Sequence, residues 1–228
     1  MQPPRGKPPI ITLDDAGLGA IARQLIERKP PPSNRAVLAI AGVPGSGKST
    51  LADRLVALLN RAAPGSAVLL AMDAYHMTNA KLARLGLTKR KGAAHTFEAQ
   101  HYFKHLAKLR NAGQSLSIPI FDRDIDEPVY TGKPEHNATK RTRFVVTEGN
   151  YLLLDTLPWT TIDELSDLRV WIDIPADRAK QQAIRRHIRF GRSPQEAKLW
   201  YETNDRHNAE FINQRSRHAD LIVRWPDG

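Results

Sequence analysis

Two kinds of hydrophobic pattern alternate along the chain. A continuous apolar run stands at residues 36–41, and short, mainly apolar stretches at 67–72, 144–147, 168–174 and 220–223, as expected of buried strands in a parallel sheet. The stretches 12–29, 50–61, 97–111, 177–190 and 194–215 carry a helical pattern instead. In the first of these Leu18, Ile21, Ala22, Leu25 and Ile26 fall on one face. Thr12 followed by Asp15 resembles a capping box at its start, and Lys29-Pro-Pro-Pro-Ser-Asn34 ends it. Residues 115–121 read as a further strand. Residues 122–140 are polar, carry two prolines and read as a loop. Strands alternating with helices predict an α/β fold, a three-layer sandwich around a mainly parallel sheet. With no repeat or linker in view, residues 12–228 are expected to form one domain, preceded by a flexible proline-rich tail at 1–11.

Composition narrows the classes. The chain has 228 residues, 41% of them hydrophobic, enough for one ordinary core. No run approaches the roughly 18 apolar residues of a membrane span. There is no cysteine, which excludes disulfide and thiolate chemistry. A soluble cytoplasmic protein with no membrane partner is expected. The net charge of +10 suits an anionic small molecule, a nucleic acid or an anionic surface. No aromatic-plus-basic recognition module is visible, so nucleic acid is not expected as the main partner. A homodimer stays open.

The chemistry begins at Gly42-Val-Pro-Gly-Ser-Gly47-Lys48-Ser49, a full Walker A pattern between an expected strand and an expected helix. Glycines let backbone N–H groups wrap phosphate oxygens, and the following helix N-terminus adds partial positive charge. The cofactor-binding candidates are Gly42, Val43, Pro44, Gly45, Ser46, Gly47, Lys48, Ser49 and Thr50. Lys48 would reach the β- and γ-phosphates of ATP, and Ser49 would ligate Mg²⁺. Asp73 ends the second strand, at the sheet edge where open α/β folds bind ligands. It can accept the proton of an attacking hydroxyl or simply cap the next turn. Glu148, at the tip of the third strand, suits a second Mg²⁺ ligand or a turn residue.

Six pieces in this order resemble the phosphoribulokinase, uridine kinase and pantothenate kinase superfamily of P-loop kinases: GVPGSGKS, MDAYHM, RKGAAHTFEA, IPIFDRDIDEPV, VVTEGNYLLL and WIDIPADRAKQQAIRRHIRFGRSPQEA. They cover about residues 36–215 and are most similar to bacterial nucleoside/nucleotide kinase-like, or fructokinase-like, proteins. The resemblance implies a kinase that passes the γ-phosphate of Mg-ATP to a hydroxyl of a nucleoside, sugar or pantothenate-like alcohol. It implies Asp73 as base, Ser49 and Glu148 at the metal, and Tyr75, His76 and Arg123 around the acceptor. It implies Arg185, Arg186, Arg189 and Arg192 on a lid near 178–215 that closes over ATP. Spacing puts Arg178, Arg185, Arg189 and Arg192 on one helix face; Arg185 and Arg189 are taken with Asp73 and Lys48 as the catalytic set. Uridine kinases carry Ser-Phe-Tyr after the aspartate, where this chain has Ala-Tyr-His. Two readings from other classes stay open: an NTP-hydrolysing switch, and a basic nucleic-acid-binding module with a vestigial nucleotide site. Lys89-Arg-Lys-Gly92 is expected either to bind a phosphate on the acceptor or to be solvated, and the polar run 204–208 either to close the nucleotide site or to cap the lid. Trp171, Trp200 and Trp225 read as packing residues.

Overall fold

The computed structural model describes residues 7–226. In chain order the strands are β1 (Ile10–Thr12), β2 (Ala36–Ala41), β3 (Ala67–Ala71), β4 (Leu116–Ser117), β5 (Ile120–Asp122), β6 (Glu127–Val129), β7 (Asn137–Ala138), β8 (Phe144–Glu148), β9 (Leu168–Ile172) and β10 (Leu221–Arg224). The helices are α1 (Asp15–Glu27), α2 (Lys48–Ala62), α3 (Asn79–Arg84), α4 (Ala99–Arg110), α5 (Ile162–Leu165), α6 (Ala176–Arg189), α7 (Pro194–Trp200) and α8 (Arg206–Arg215). Six strands form one sheet in the order β1-β10-β9-β2-β8-β3, every pairing parallel. The expected α/β sandwich is therefore present. No helix among the described residues is long and apolar enough to cross a membrane.

The continuous apolar run of β2 reflects its central place. Val37, Ala39 and Ala41 point into one core with α4, while Leu38 and Ile40 point into the other with α1 and α2. Every residue of β2 and β8 is buried. Inside β8, Thr147 satisfies its hydroxyl by donating to Leu70 O at 2.6 Å and meeting Tyr102 Oη at 2.6 Å.

Three expectations change. Ile10 and Ile11, expected in the tail, pair with Ile222 and Val223 at the sheet edge; residues 1–6 of that tail lie outside the described residues. The cap of α1 is Asp14, whose Oδ1 accepts from Gly17 N at 2.7 Å, not Thr12. Residues 115–121 are split between two small antiparallel ribbons, β4 with β7 and β5 with β6. Their partners come from the stretch expected to be loop, and the ribbons stand apart from the main sheet.

One buried cation ties the far end of the molecule. Arg35, just before β2, is 0% exposed. Its guanidinium donates to six backbone carbonyls, those of Leu109, Asn111, Ala112, Gln114, Thr139 and Thr142. Several lie at the C-terminal end of α4, where the helix dipole favours positive charge. Burial pushes the Arg35 pKa down from its ordinary value, but a guanidinium keeps its proton in proteins.

A second buried group makes stability depend on pH. His105 on α4 is buried, and its Nδ1 shares a hydrogen bond with the Tyr75 hydroxyl at 2.5 Å. Burial pushes His105 down from 6.5 to about 4 and Tyr75 up. Between those two values the unfolded chain binds more protons at this position than the folded one. Stability contributed by neutral His105 is thus fully present above pH 6.5 and is lost as pH falls toward 4. Urea midpoints measured across pH 4 to 7 should decline toward acid. His105→Gln should flatten that decline; an unchanged slope would discount His105 as its source.

Candidate active site

The loop between β2 and α2 is shaped by what surrounds it. Gly45 and Gly47 have φ of +79° and +87°, a region other residues avoid. A Cβ on Gly45 would lie 2.1 Å from Ala179 O, so α6 packs its backbone directly on the loop. The indole of Trp225 lies against Gly47 and donates to Ser46 O at 2.8 Å. Lys48 is buried, and its Nζ donates to Val43 O at 2.9 Å. Burial pushes Lys48 down, against the pull of Glu148. At about 8 it still carries its charge near pH 7, and a bound anion would hold that charge more firmly.

Parallel pairing sets the acids beside this loop. Residues Ile40 and Ala71 both register with Glu148, so three adjacent strands end together. Glu148 Oε1 accepts from Ser49 Oγ at 3.2 Å. Burial, with Asp73 adding to it, pushes the Glu148 carboxyl up. Burial and Asp73 outweigh the opposing pull of Lys48 and Arg123, and a divalent cation would add the positive charge that favours the carboxylate. A hydroxyl and a carboxylate are hard oxygen donors of the kind Mg²⁺ takes, with phosphate oxygens and water filling the remaining positions. The donor set fits that ion.

Beyond β3 the chain makes a short 3₁₀ turn, Met72–Tyr75. The turn sends Asp73 and Tyr75 in different directions. Asp73 faces a cavity of about 470 Å³ together with His76, Arg123, Arg186 and Arg192. Its Oδ2 accepts from Arg123 Nη2 at 2.9 Å. Burial alone would raise this carboxyl, but His76, Arg123, Arg186 and Lys48 outweigh burial and hold it below the ordinary value. Asp73 is thus an ionised acceptor at neutral pH. Tyr75, expected at the acceptor, points instead into the core, where its hydroxyl meets His105.

The arginines of α6 also sort differently from expectation. The buried stripe of this helix is Ala179 and Ala183, small enough to let it approach the loop. Residues three and four further on, Arg186 and His187, continue that face into the cavity. Arg185 and Arg189 are exposed on other faces, and Arg189 only approaches the Phe190 ring. Arg192 returns to the cavity after Gly191, with its guanidinium carbon 3.8 Å from the centroid of the Trp200 ring. Arg178 sits on a separate cavity of about 390 Å³ with Pro175, Arg224 and Trp225, next to the phosphate loop. Trp200 and Trp225 therefore line cavities as well as packing.

The basic segment Lys89–Gly92 and the polar run 204–208 meet each other. The helix from α7 to α8 contains one π turn, Tyr201–Asp205, and such a turn shifts the register of the side chains that follow. Asn204 takes Arg90 Nη1 on its Oδ1 at 3.0 Å and donates from Nδ2 to Lys89 O at 3.1 Å. Asn208 donates to Gly92 O at 3.4 Å. Asp205 accepts from His187 Nε2 at 2.7 Å. The Lys89–Gly92 segment is thereby fastened to the helix behind the cavity, and Lys91 lines the cavity beside Asp126. The π turn has no sequence signature, but the density of Asn and Asp within one helix marks the place.

Known proteins resemble this arrangement along nearly the whole chain. Residues 37–226 match the model of the Phosphoribulokinase / Uridine kinase family. YggC of Escherichia coli K12 is 31% identical over 86% of this chain and 80% of its own. The pantothenate kinase of Erwinia tasmaniensis is 23% identical over 84% of this chain and 69% of its own. A solved structure from Silicibacter sp. TM1040, provisionally named a fructose transport system kinase, superposes with a TM-score of 0.80 at 30% identity, covering 92% of this chain and 98% of that one. A match over this span, on a P-loop flanked by Asp73 and Glu148, makes the chain a member of the Phosphoribulokinase / Uridine kinase family and a P-loop phosphotransferase acting on a small-molecule alcohol.

Proposed function

We propose that the protein transfers the γ-phosphoryl group of Mg-ATP to a hydroxyl of a small polar molecule bound in the cavity of about 470 Å³. The observation that carries this reading is the convergence of an ionised Asp73 on the phosphate loop, with its carboxylate facing the cavity rather than capping a turn. An NTP-driven switch has no need of an acceptor-sized cavity there. In this reading Lys48 and the loop N–H groups hold the phosphates, and Ser49 and Glu148 hold the metal. Bound Mg²⁺ offsets charge on the phosphates. The base of the nucleotide lies at the cavity of Arg178, Pro175 and Trp225. Asp73 orients the acceptor hydroxyl and takes its proton. Arg186, which faces the cavity and acts electrostatically on both Lys48 and Asp73, is the arginine placed to stabilise charge on the transferring group. Arg192 and Trp200 close the far side and exclude water, itself a competing acceptor.

Lys48→Ala should lower phosphoryl transfer by about 10²- to 10³-fold, the scale of losing one preorganised electrostatic partner. Screening hydroxyl compounds for ADP release with wild type and variant checks this. Normal turnover in the variant would remove the phosphate loop from the reaction.

A further inference from the structure

The orientation of one peptide group in the phosphate loop is set from a distant part of the chain. The Ser46–Gly47 bond is trans. In a trans peptide the carbonyl oxygen and the following N–H point in opposite directions. Turning that plane over would send Ser46 O into the loop and Gly47 N–H out of it. Gly47, with φ of +87° and no Cβ, offers little steric resistance to such a turn. A contact from outside the loop has to choose between the two orientations.

Trp225 supplies that contact. Its indole Nε1–H donates to Ser46 O at 2.8 Å, and its ring lies against Gly47. The indole stands outside the loop, beside Pro175 and Arg178. The bond therefore draws the carbonyl outward and leaves Gly47 N–H facing in. Gly47 N–H makes no hydrogen bond among the described residues, whereas the neighbouring Ser46 N–H is engaged by Val43 O at 3.1 Å. Ser46 is 0% exposed, so releasing its carbonyl from the indole would strand a buried acceptor. The sheet in turn fixes the indole. Leu13 N donates to Arg224 O at 2.7 Å, and the Arg224 guanidinium pairs with Asp173, just past β9, at 2.7 Å.

We propose that Trp225 is a positioning residue for phosphate binding: its indole N–H holds the Ser46–Gly47 peptide in the orientation that presents Gly47 N–H to a phosphate oxygen. The indole itself touches no phosphate; it acts through the peptide. This rests on the reading above, in which the loop N–H groups hold the phosphates of ATP. The ligand served is the polyphosphate chain, whatever base or acceptor accompanies it.

Two measurements test this. The first is calorimetric titration with Mg-tripolyphosphate and with Mg-ATP. Trp225→Phe keeps an aromatic ring against Gly47 but loses the donor. Its Kd for tripolyphosphate should rise by about 3- to 10-fold, the worth of one hydrogen bond, and its Kd for ATP by at least as much. Trp225→His should recover part of the loss, because an imidazole Nε2 can occupy the ring position of the indole Nε1 and donate from it. If wild type binds tripolyphosphate and Trp225→Phe binds it equally well, the proposal is overturned, even where ATP binding weakens, since the ring would then serve the base alone. Equal losses in the two variants overturn it too, since packing and not the N–H would be responsible. Should wild type bind neither ligand, the phosphate-loop reading itself fails and the proposal falls with it. The second measurement uses wild type alone. In ¹⁵N-labelled protein the Trp225 indole N–H should exchange with solvent more slowly than a free indole, and the Gly47 amide proton should move downfield as tripolyphosphate is added. An indole N–H that exchanges like free tryptophan, or a Gly47 amide unmoved at saturation, overturns the proposal.

Discussion

Asp73→Asn should lower kcat by roughly 10²- to 10⁴-fold with the true acceptor, the range for loss of a general base, while ATP affinity stays near wild type. The carboxylate stands at the C-terminal edge of the sheet, just beyond β3, facing the acceptor cavity. Four neighbours hold it ionised against the effect of burial. A carboxylate of low basicity is a weak base for a free hydroxyl. It suits phosphoryl transfer nonetheless, because the loose transition state leaves the hydroxyl proton in place until late. Its first task is to orient the oxygen and its second to take the proton. Asparagine keeps the size but can do only the first. It would also weaken the 2.9 Å bond from Arg123, so the acceptor KM should rise modestly. Steady-state kinetics with each substrate varied in turn separates these effects. Near-normal kcat would place the base elsewhere. Loss of ATP binding with acceptor binding intact would instead assign Asp73 to the metal.

The largest effect on folding should come from Arg35→Met. The guanidinium serves six carbonyls drawn from two segments, residues 109–114 and 139–142. Methionine matches much of the length and is apolar, so the buried cation disappears along with its desolvation cost. The carbonyls remain, and each left unpaired costs about 1–3 kcal/mol. Even if water or relaxation recovers half of them, about 3 kcal/mol or more is lost, against a total stability of about 5–15 kcal/mol for ordinary domains. Arg35→Lys retains the charge but replaces a planar fork with three donors from one point, and should recover less than half of the loss. Urea midpoints for the three proteins decide the matter. A midpoint for Arg35→Met equal to wild type would mean those bonds contribute nothing net.

The central strands β2, β3 and β8 were readable because they are buried on both faces and so write apolar runs, whereas the exposed edge strand β1 was missed. β2 was located to the residue. The ribbons of residues 116–138 were not, since β4 to β7 are two or three residues long and none is fully buried. The phosphate loop was readable because its chemistry is local: glycines, a lysine and a hydroxyl within eight residues. Asp73 and Glu148 followed from standing at strand tips. The side of α6 that faces the site was misjudged for a physical reason. Arginine spacing suggested a charged face, but Ala179 and Ala183 set the orientation, because only that face can touch the loop at Gly45. Tyr75 was misplaced because a 3₁₀ turn, unmarked in the sequence, follows Met72. The bonds of Arg35 and the grip of Asn204 on Lys89 could not be read, because those partners are backbone carbonyls, which every residue has, and some lie more than 100 positions away.

The grip of Asn204 and Asn208 on the Lys89–Gly92 segment has a bearing on how such enzymes diverge. Both asparagine amides hold main-chain oxygens, those of Lys89 and Gly92; Arg90 alone contributes a side chain to Asn204. The side chains at 89 and 91 are therefore under no obligation to the fastening. A lineage, or a designer, can exchange Lys91 for a residue suited to another acceptor and keep the helix attached to the loop. Changes at Asn204 carry no such freedom, because they alter the frame on which every acceptor-side substitution would be tried. Drift in acceptor choice should accumulate on the loop, with the asparagines inherited unchanged.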